Sequence, residues 1–271
     1  MLVTVGAASR SAAWAQTRAV VEQERREFAE WLRTAPLSPR RAVVVRPIGP
    51  GLTLGPASAD IPLRGVEPAR LTDDRRVTLR LGDQNLSLAR GRPLALGNWH
   101  LLVNGPPGRA AVTVFAKEVR AGKAPAWYPY DTGAVHTVTL TPPSAPATVR
   151  ILGPDGVDVD ASEAGSVLVI LGGIRQTLRV LRLPGATEDE SELEIYFRDG
   201  TSGHGTYPAG RFVSLIPRSN DYLLDFNRAR NPYCSYNTVF PCPAPWRGNA
   251  VTAPIRAGER YLGGGLDSPS Y

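Results

Sequence analysis

Lysine is almost missing from this chain: of 31 basic residues only Lys117 and Lys123 are not arginine. The arginines are scattered among acids, as in Glu22, Glu24, Arg25, Arg26 and Glu27. A nucleic-acid binder gathers its charge on one face, so the net charge of +6 does not predict nucleic acid as a partner. Cysteine is nearly as rare. Cys234 and Cys242 are too few for a disulfide framework, and the seven residues between them do not match a CxxC zinc knuckle. No apolar run approaches the roughly 18 residues of a membrane helix, so no membrane partner is predicted. The first residues, MLVTVGAASRSAAWA, lack a basic region followed by a long apolar one. A cytoplasmic protein is the expectation. P-loop, dinucleotide-binding, HExxH and GxSxG signatures are absent, which lowers the standing of nucleotide kinases, dehydrogenases and common hydrolases. No metal or other cofactor is implied.

What the chain does have is glycine and proline, 27 and 25 of its 271 residues, between short apolar runs. That texture predicts a turn-rich, mainly β protein. One long helix is expected over residues 11–33, capped by Ser11, with Trp14, Val21, Phe28 and Leu32 on the face to be buried. It should form an arm across the sheet that follows. The runs AVVVR, TLRLG, LSLAR, HLLVN and VTVFA then predict a small antiparallel β domain over 38–120. The runs TVTLT, TVRIL, SVLVILGG, TLRVLRL and LEIYF predict a larger antiparallel barrel or sandwich over 121–262, with turns at Gly153–Gly156 and Gly172–Gly173. Residues 1–37 are the helical arm and 263–271 a tail. The acidic stretch Glu188, Asp189, Glu190 and Glu192 is expected to be a solvated loop.

Beyond Arg198 periodicity fades and chemistry gathers. Asp199, Thr201, Ser202, Gly203, His204, Thr206 and Tyr207 put a carboxylate, hydroxyls, an imidazole and a phenol in one glycine-rich turn. Its exposed N–H groups suit an anion; equally, the side chains suit satisfying the turn's own amides. Arg211 is placed to clamp a carboxylate or phosphate, or to pair with Asp199 or Asp225. Asp225, Asn227, Arg228, Asn231 and Tyr233 make a polar cluster that either binds substrate or fastens a loop. Cys234 is a nucleophile if His204 lies near it; an inert thiol, a disulfide with Cys242 or a mixed metal site are the other readings.

FRDGTSGHGTYPAGRF, LDFNRARNPYCSYNTVFPCPAP and IRAGER resemble the bacterial and archaeal family labelled domain of unknown function 1684. GPGLTLGPASADIPL and AWYPYDTG fit the same order upstream. The matching positions are Asp199, Thr201, Ser202, Gly203, Thr206, Tyr207, Arg211, Asp225, Asn227, Asn231, Cys234, Cys242 and Glu259. Gly205 stands where the family commonly has an acid, and Pro208 where it has glycine. The resemblance implies a helical arm, a small sandwich reminiscent of forkhead-associated domains and a larger β domain, with no established activity.

The functional expectation is an enzyme acting on a small polar or anionic metabolite by cofactor-free acid–base chemistry: hydrolysis, isomerisation or cyclisation. His204, Tyr207, Asp199 and Cys234 would be catalytic. Thr201, Ser202, Gly203, Arg211, Asp225, Asn227, Arg228, Asn231 and Tyr233 would bind substrate. A non-catalytic binding module is the alternative, and a Cys/His metal enzyme the third reading.

Overall fold

The protein, seen in a computed structural model, is described over residues 18–74, 76–120, 122–184, 191–246 and 248–263. Helix α1 runs Arg18–Thr34, where no glycine or proline interrupts and the apolar residues fall on one stripe. Val21 and Leu32 are buried. Ser11 and Trp14 lie outside the described residues. The helix stops short of Pro36 and Pro39, and the Ser38 hydroxyl donates to the Leu32 carbonyl at 2.6 Å.

The arm does not lie across the sheet that follows it. Phe28 meets Trp127 and Tyr236 edge-on at 6.1 and 6.0 Å, and Trp31 meets Tyr233 at 6.1 Å. Arg25 sits over the Trp127 ring and donates to the carbonyls of Tyr128 and Asn227. Aromatic partners far along the chain, together with free carbonyls for Arg25, draw the helix onto the larger β unit.

The first β unit comprises β1 (Ala42–Pro47), β2 (Leu52–Gly55), β3 (Ile61–Pro62), β4 (Ala69–Asp73), β5 (Val77–Leu81), β6 (Gln84–Leu88), β7 (Leu94–Leu96), β8 (Trp99–Asn104) and β9 (Ala111–Ala116). They form two sheets, ordered β1-β9-β8-β7 and β3-β2-β4-β5-β6, antiparallel except for β2 beside β3. Leu54, Leu71 and Leu79 from one sheet share a core with Leu101, Val103, Val112 and Val114 from the other, which makes a sandwich. Asp73 links the layers by accepting from the Ala110 amide and from Arg90.

The second unit comprises β10 (Ala126–Trp127), β11 (Val135–Val138), β12 (Leu140–Thr141), β13 (Thr148–Leu152), β14 (Asp158–Leu171), β15 (Ile174–Leu183), β16 (Glu192–Phe197), β17 (Arg211–Pro217), β18 (Tyr222–Asp225) and β19 (Glu259–Arg260). Apart from the β10–β19 pair, these strands make one antiparallel sheet in the order β11-β18-β17-β16-β15-β14-β12, with β13 also on β14. Only Thr139 separates β11 from β12, so the two ends of the sheet meet on one stretch of chain and the sheet curls almost shut. Its interior holds Val167, Val169, Leu178, Val180, Ile195, Phe197, Val213, Leu215 and Phe226.

β14 is long because it serves two surfaces. A register shift between Glu163 and Gly165 bends it, leaving the first half on β13 and the second half in the barrel wall. Gly165 has φ +133°, and a Cβ there would stand 2.1 Å from the Thr141 carbonyl oxygen; only glycine permits that approach. The bent half helps bury a second cluster on the outside of the barrel: Ala161, Leu181, Tyr196, Phe212 and Trp246.

The two units meet along a seam. Asn237, fully buried, donates to the carbonyls of Pro39 and Ala42, while Cys234 and Phe240 pack with Ala42 and Phe115. Asn104 and Arg109 of the sandwich bond Asp155 and Asp160 of the barrel unit.

Candidate functional site

β16 and β17 set the geometry of the glycine-rich motif. Leu193, Ile195 and Phe197 face the interior, and the same alternation turns Asp199 inward; Val213 and Leu215 do likewise for Arg211. The two meet at the end of the barrel, Arg211 Nη2 to Asp199 Oδ2 at 2.7 Å, with both side chains 1% exposed. Arg211 also donates to the carbonyls of Ala257, Ile255 and Glu259 and lies 5.3 Å over the Phe197 ring. Asp199 Oδ1 accepts from the Thr201 amide and hydroxyl, and the Thr201 and Thr206 hydroxyls share a bond of 2.9 Å. Ser202 Oγ accepts from the Asp199 amide. The amides of Ser202, Gly203, His204 and Thr206 all donate to carbonyls inside the turn. These groups are spent on one another, so as folded the turn presents no free amide cradle to an anion.

Of the residues expected to be catalytic, His204 stands exposed at the tip of this turn, with no bond from its ring among the described residues. The Tyr207 hydroxyl lies 3.2 Å from Cys242 Sγ, its ring edge-on to Tyr261; burial first, then Tyr261, pushes the phenol up from its usual value. Cys234 is disulfide-bonded to Cys242, with Cα atoms 5.5 Å apart. In that state Cys234 has no thiolate to attack with or to ligate a metal beside His204. No group of three or more His, Cys, Asp or Glu among the described residues is arranged to hold a metal ion. Gly205, at φ +126°, lies so near Tyr128 that a Cβ would be 2.7 Å from its hydroxyl, which accounts for glycine at that position.

The polar cluster after β18 divides in two. Asp225 and Asn227, both fully buried, cap a 3-10 turn, Asp225 Oδ1 accepting from the Asn227 amide and side chain. Asn227 then grips the backbone of Asp131 in both directions, at 2.7 and 2.9 Å. Arg228 bonds Asp225 and Glu24. Asn231 belongs to the other half: its amide donates to Glu259 Oε2, and the Tyr236 hydroxyl donates to Oε1. Burial raises the Glu259 carboxyl to about 7 and pushes Tyr236 well above its usual value. The Tyr233 amide donates to the Pro154 carbonyl, and burial raises its phenol to about 12.

Asp225, Asn227 and Arg228 thus hold up the segment that lines a groove of about 550 Å³, formed by Arg18, Tyr128, Pro129, Tyr130, Asp131, Thr132 and Arg256. Burial, then the charge of Asp225, raises the Tyr130 hydroxyl, so it stays protonated. His136 lies near the same acids; burial lowers it below the usual imidazole value against the pull of Asp225 and Asp131. Sequence reasoning singled out neither Tyr130, Asp131 nor Arg256 as binding groups. The signal available was AWYPYDTG, a polar-aromatic run that fits the family's order.

Comparison with known proteins found no match among curated proteins. Among solved structures, the chain is similar to an uncharacterized protein of Haloarcula marismortui, determined in solution by NMR, at 26% identity and a TM-score of 0.44. That similarity covers 51% of this chain and 76% of the other. The profile of a family described as protein of unknown function (DUF1684) matches residues 123–260, which takes in the whole barrel unit, both polar clusters and the groove segment. On that match, the chain belongs to the DUF1684 family.

Proposed function

We propose that the chain is an enzyme acting on a small polar or anionic metabolite by acid–base chemistry, with the groove at Tyr128–Thr132 as its site. The observation that carries this reading is the pairing of a concave surface with two arginines, Arg18 and Arg256, beside a hydroxyl and a carboxylate. Arg18 is shared with Glu22, at 2.6 Å; Arg256 is exposed and makes no ion pair among the described residues. Arg256 would hold the anionic group, protonated Tyr130 would donate, and Asp131 would accept a proton. The buried Asn227 grip on Asp131 supplies the rigidity such a site needs.

The test is conversion of pooled organic acids and phosphate esters followed by mass spectrometry. The reading expects one species to be consumed, with the activity lost in Arg256→Gln and Tyr130→Phe while both variants melt like the parent. Equal turnover in variants and parent, or none in the parent, would sink it. A non-catalytic binding module is the second reading, favoured by one observation: the motif's Asp199, Thr201, Thr206 and Arg211 are bound to each other rather than turned to solvent. Cytoplasmic location is part of neither reading, since disulfides persist in oxidising compartments. No helix among the described residues is long and apolar enough to cross a membrane.

A further inference from the structure

The outside of the barrel carries a second set of chemistry, unconnected with the groove. On β16, Glu194 and Tyr196 alternate with the interior residues and so face outward, as Phe212 and Ser214 do on the neighbouring β17. Tyr196 stacks on Phe212 at 4.1 Å, and Trp246 meets both edge-on. Around this aromatic layer, Val149, Ile151, Val159 and Leu183 remain only partly buried, leaving an apolar rim open to solvent.

Glu194 is 2% exposed, and its Oε1 accepts from the Ser214 hydroxyl. Oε2 has no partner from a backbone or hydroxyl donor, and the exposed Glu192 carboxyl stands within hydrogen-bonding reach of the Glu194 carboxyl. A buried polar atom without a fixed partner calls for an explanation, and a ligand that completes the site is one. Burial raises Glu194 to about 8; Arg230 and Ser214 work against that rise and Glu192 with it.

Arg230 is bridged to Phe212 through its backbone, so its side chain lies on the same outer face. The residue as a whole is exposed, and its guanidinium makes no hydrogen bond or ion pair among the described residues. Lost solvation is the largest influence on it, but the Glu194 and Glu192 charges outweigh that and raise its pKa. A free cationic fork, a pair of carboxyls and an apolar rim therefore stand together, and one class of molecule complements all three.

We propose that this outer face binds an apolar α-amino acid, its carboxylate on Arg230, its ammonium on the Glu192–Glu194 pair and its side chain along Ile151, Val159 and Leu183. An ammonium group favours the ionised form of Glu194, so binding near neutral pH releases a proton.

Leucine, isocaproate (no ammonium) and isoamylamine (no carboxylate) are the probes, titrated by calorimetry into the full chain. Leucine should bind at least roughly tenfold more tightly than either analogue, because each lacks one charged contact. Arg230→Gln should weaken leucine and isocaproate but leave isoamylamine unchanged; Glu192→Gln should weaken leucine and isoamylamine but leave isocaproate unchanged. In buffers of different ionisation enthalpy the parent should release a proton on binding leucine, and Glu194→Gln should release none. Arg256→Gln, in the groove, should leave leucine binding untouched, so failure of the groove reading cannot be mistaken for failure here. The proposal is overturned if leucine does not bind the folded parent, if isocaproate binds equally well, or if Arg230→Gln binds leucine like the parent.

Discussion

Arg211 and Arg230 belong to the same small region of the barrel wall and have opposite fates. Arg211 turns into the end of the barrel, where Asp199 and three carbonyls take its two terminal nitrogens and only Nε is left without a partner. Arg230, bridged to the very next residue, Phe212, turns outward, and its donors make no hydrogen bond among the described residues while the charges of Glu194 and Glu192 act on it. The same side chain thus holds the fold together in one place and stands ready for a ligand in the other. Whether the terminal guanidinium nitrogens find partners inside the fold, more than the type of side chain, separates the two roles.

The comparison breaks most visibly at Asp199. Asp199→Ala leaves the Arg211 charge buried without its partner and strips Thr201 of its acceptor, which should cost about 3–5 kcal/mol in urea denaturation. An unchanged midpoint would mean the motif does not anchor the barrel end. Next in size is Asn237→Ala at the seam. Losing both bonds to the carbonyls of Pro39 and Ala42 should cost about 1–3 kcal/mol and loosen the sandwich against the barrel, read as faster amide exchange at Ala42 and Phe115.

Two buried acids make the stability depend on pH. Glu194 and Glu259 have folded values near 8 and 7, raised from 4.5 chiefly by burial. Between 4.5 and those values the folded state binds more protons than the unfolded one, so stability falls as pH rises through that window. The parent should therefore be less stable at alkaline pH than at mildly acidic pH, by an amount on the order of a few kcal/mol. Glu194→Gln should flatten the upper part of that slope. A parent with no such slope would contradict the burial of both acids as drawn. The smallest effect is expected in the groove, where exposed Arg256→Gln should change stability by no more than about 0.5 kcal/mol.

Much of this was legible in the residues. The strands follow β-branched runs between turn residues, and every run singled out, from AVVVR to LEIYF, overlaps a strand, although TVTLT is split between two strands at Thr139 and LSLAR runs past the end of β6. Barrel closure was not legible, because it depends on β11 and β12 pairing with β18 and β14, strands remote from each other in sequence. The Asp199–Arg211 pair is one of the readings the sequence offers for Arg211, beside an anion clamp and a pair with Asp225, and strand parity is the signal that selects it. Alternation continued from Phe197 places residue 199 on the inner face, and alternation back from Val213 does the same for residue 211. The identical parity puts Glu194 and Ser214 outside. Docking of α1 on aromatics of the barrel unit had no local signal, since its stripe fits any apolar partner. Glu188, Asp189 and Glu190 fall outside the described residues; Glu192 is exposed, as a solvated stretch requires.

The most direct test sets the two arginines side by side. Arg211→Gln and Arg230→Gln remove the same charge and can be unfolded in urea under one set of conditions without ligand. The account predicts a loss of about 3–5 kcal/mol for Arg211→Gln and no more than about 0.5 kcal/mol for Arg230→Gln. Equal losses, or a larger one at Arg230, would contradict the division between a satisfied anchor and a free ligand-facing arginine.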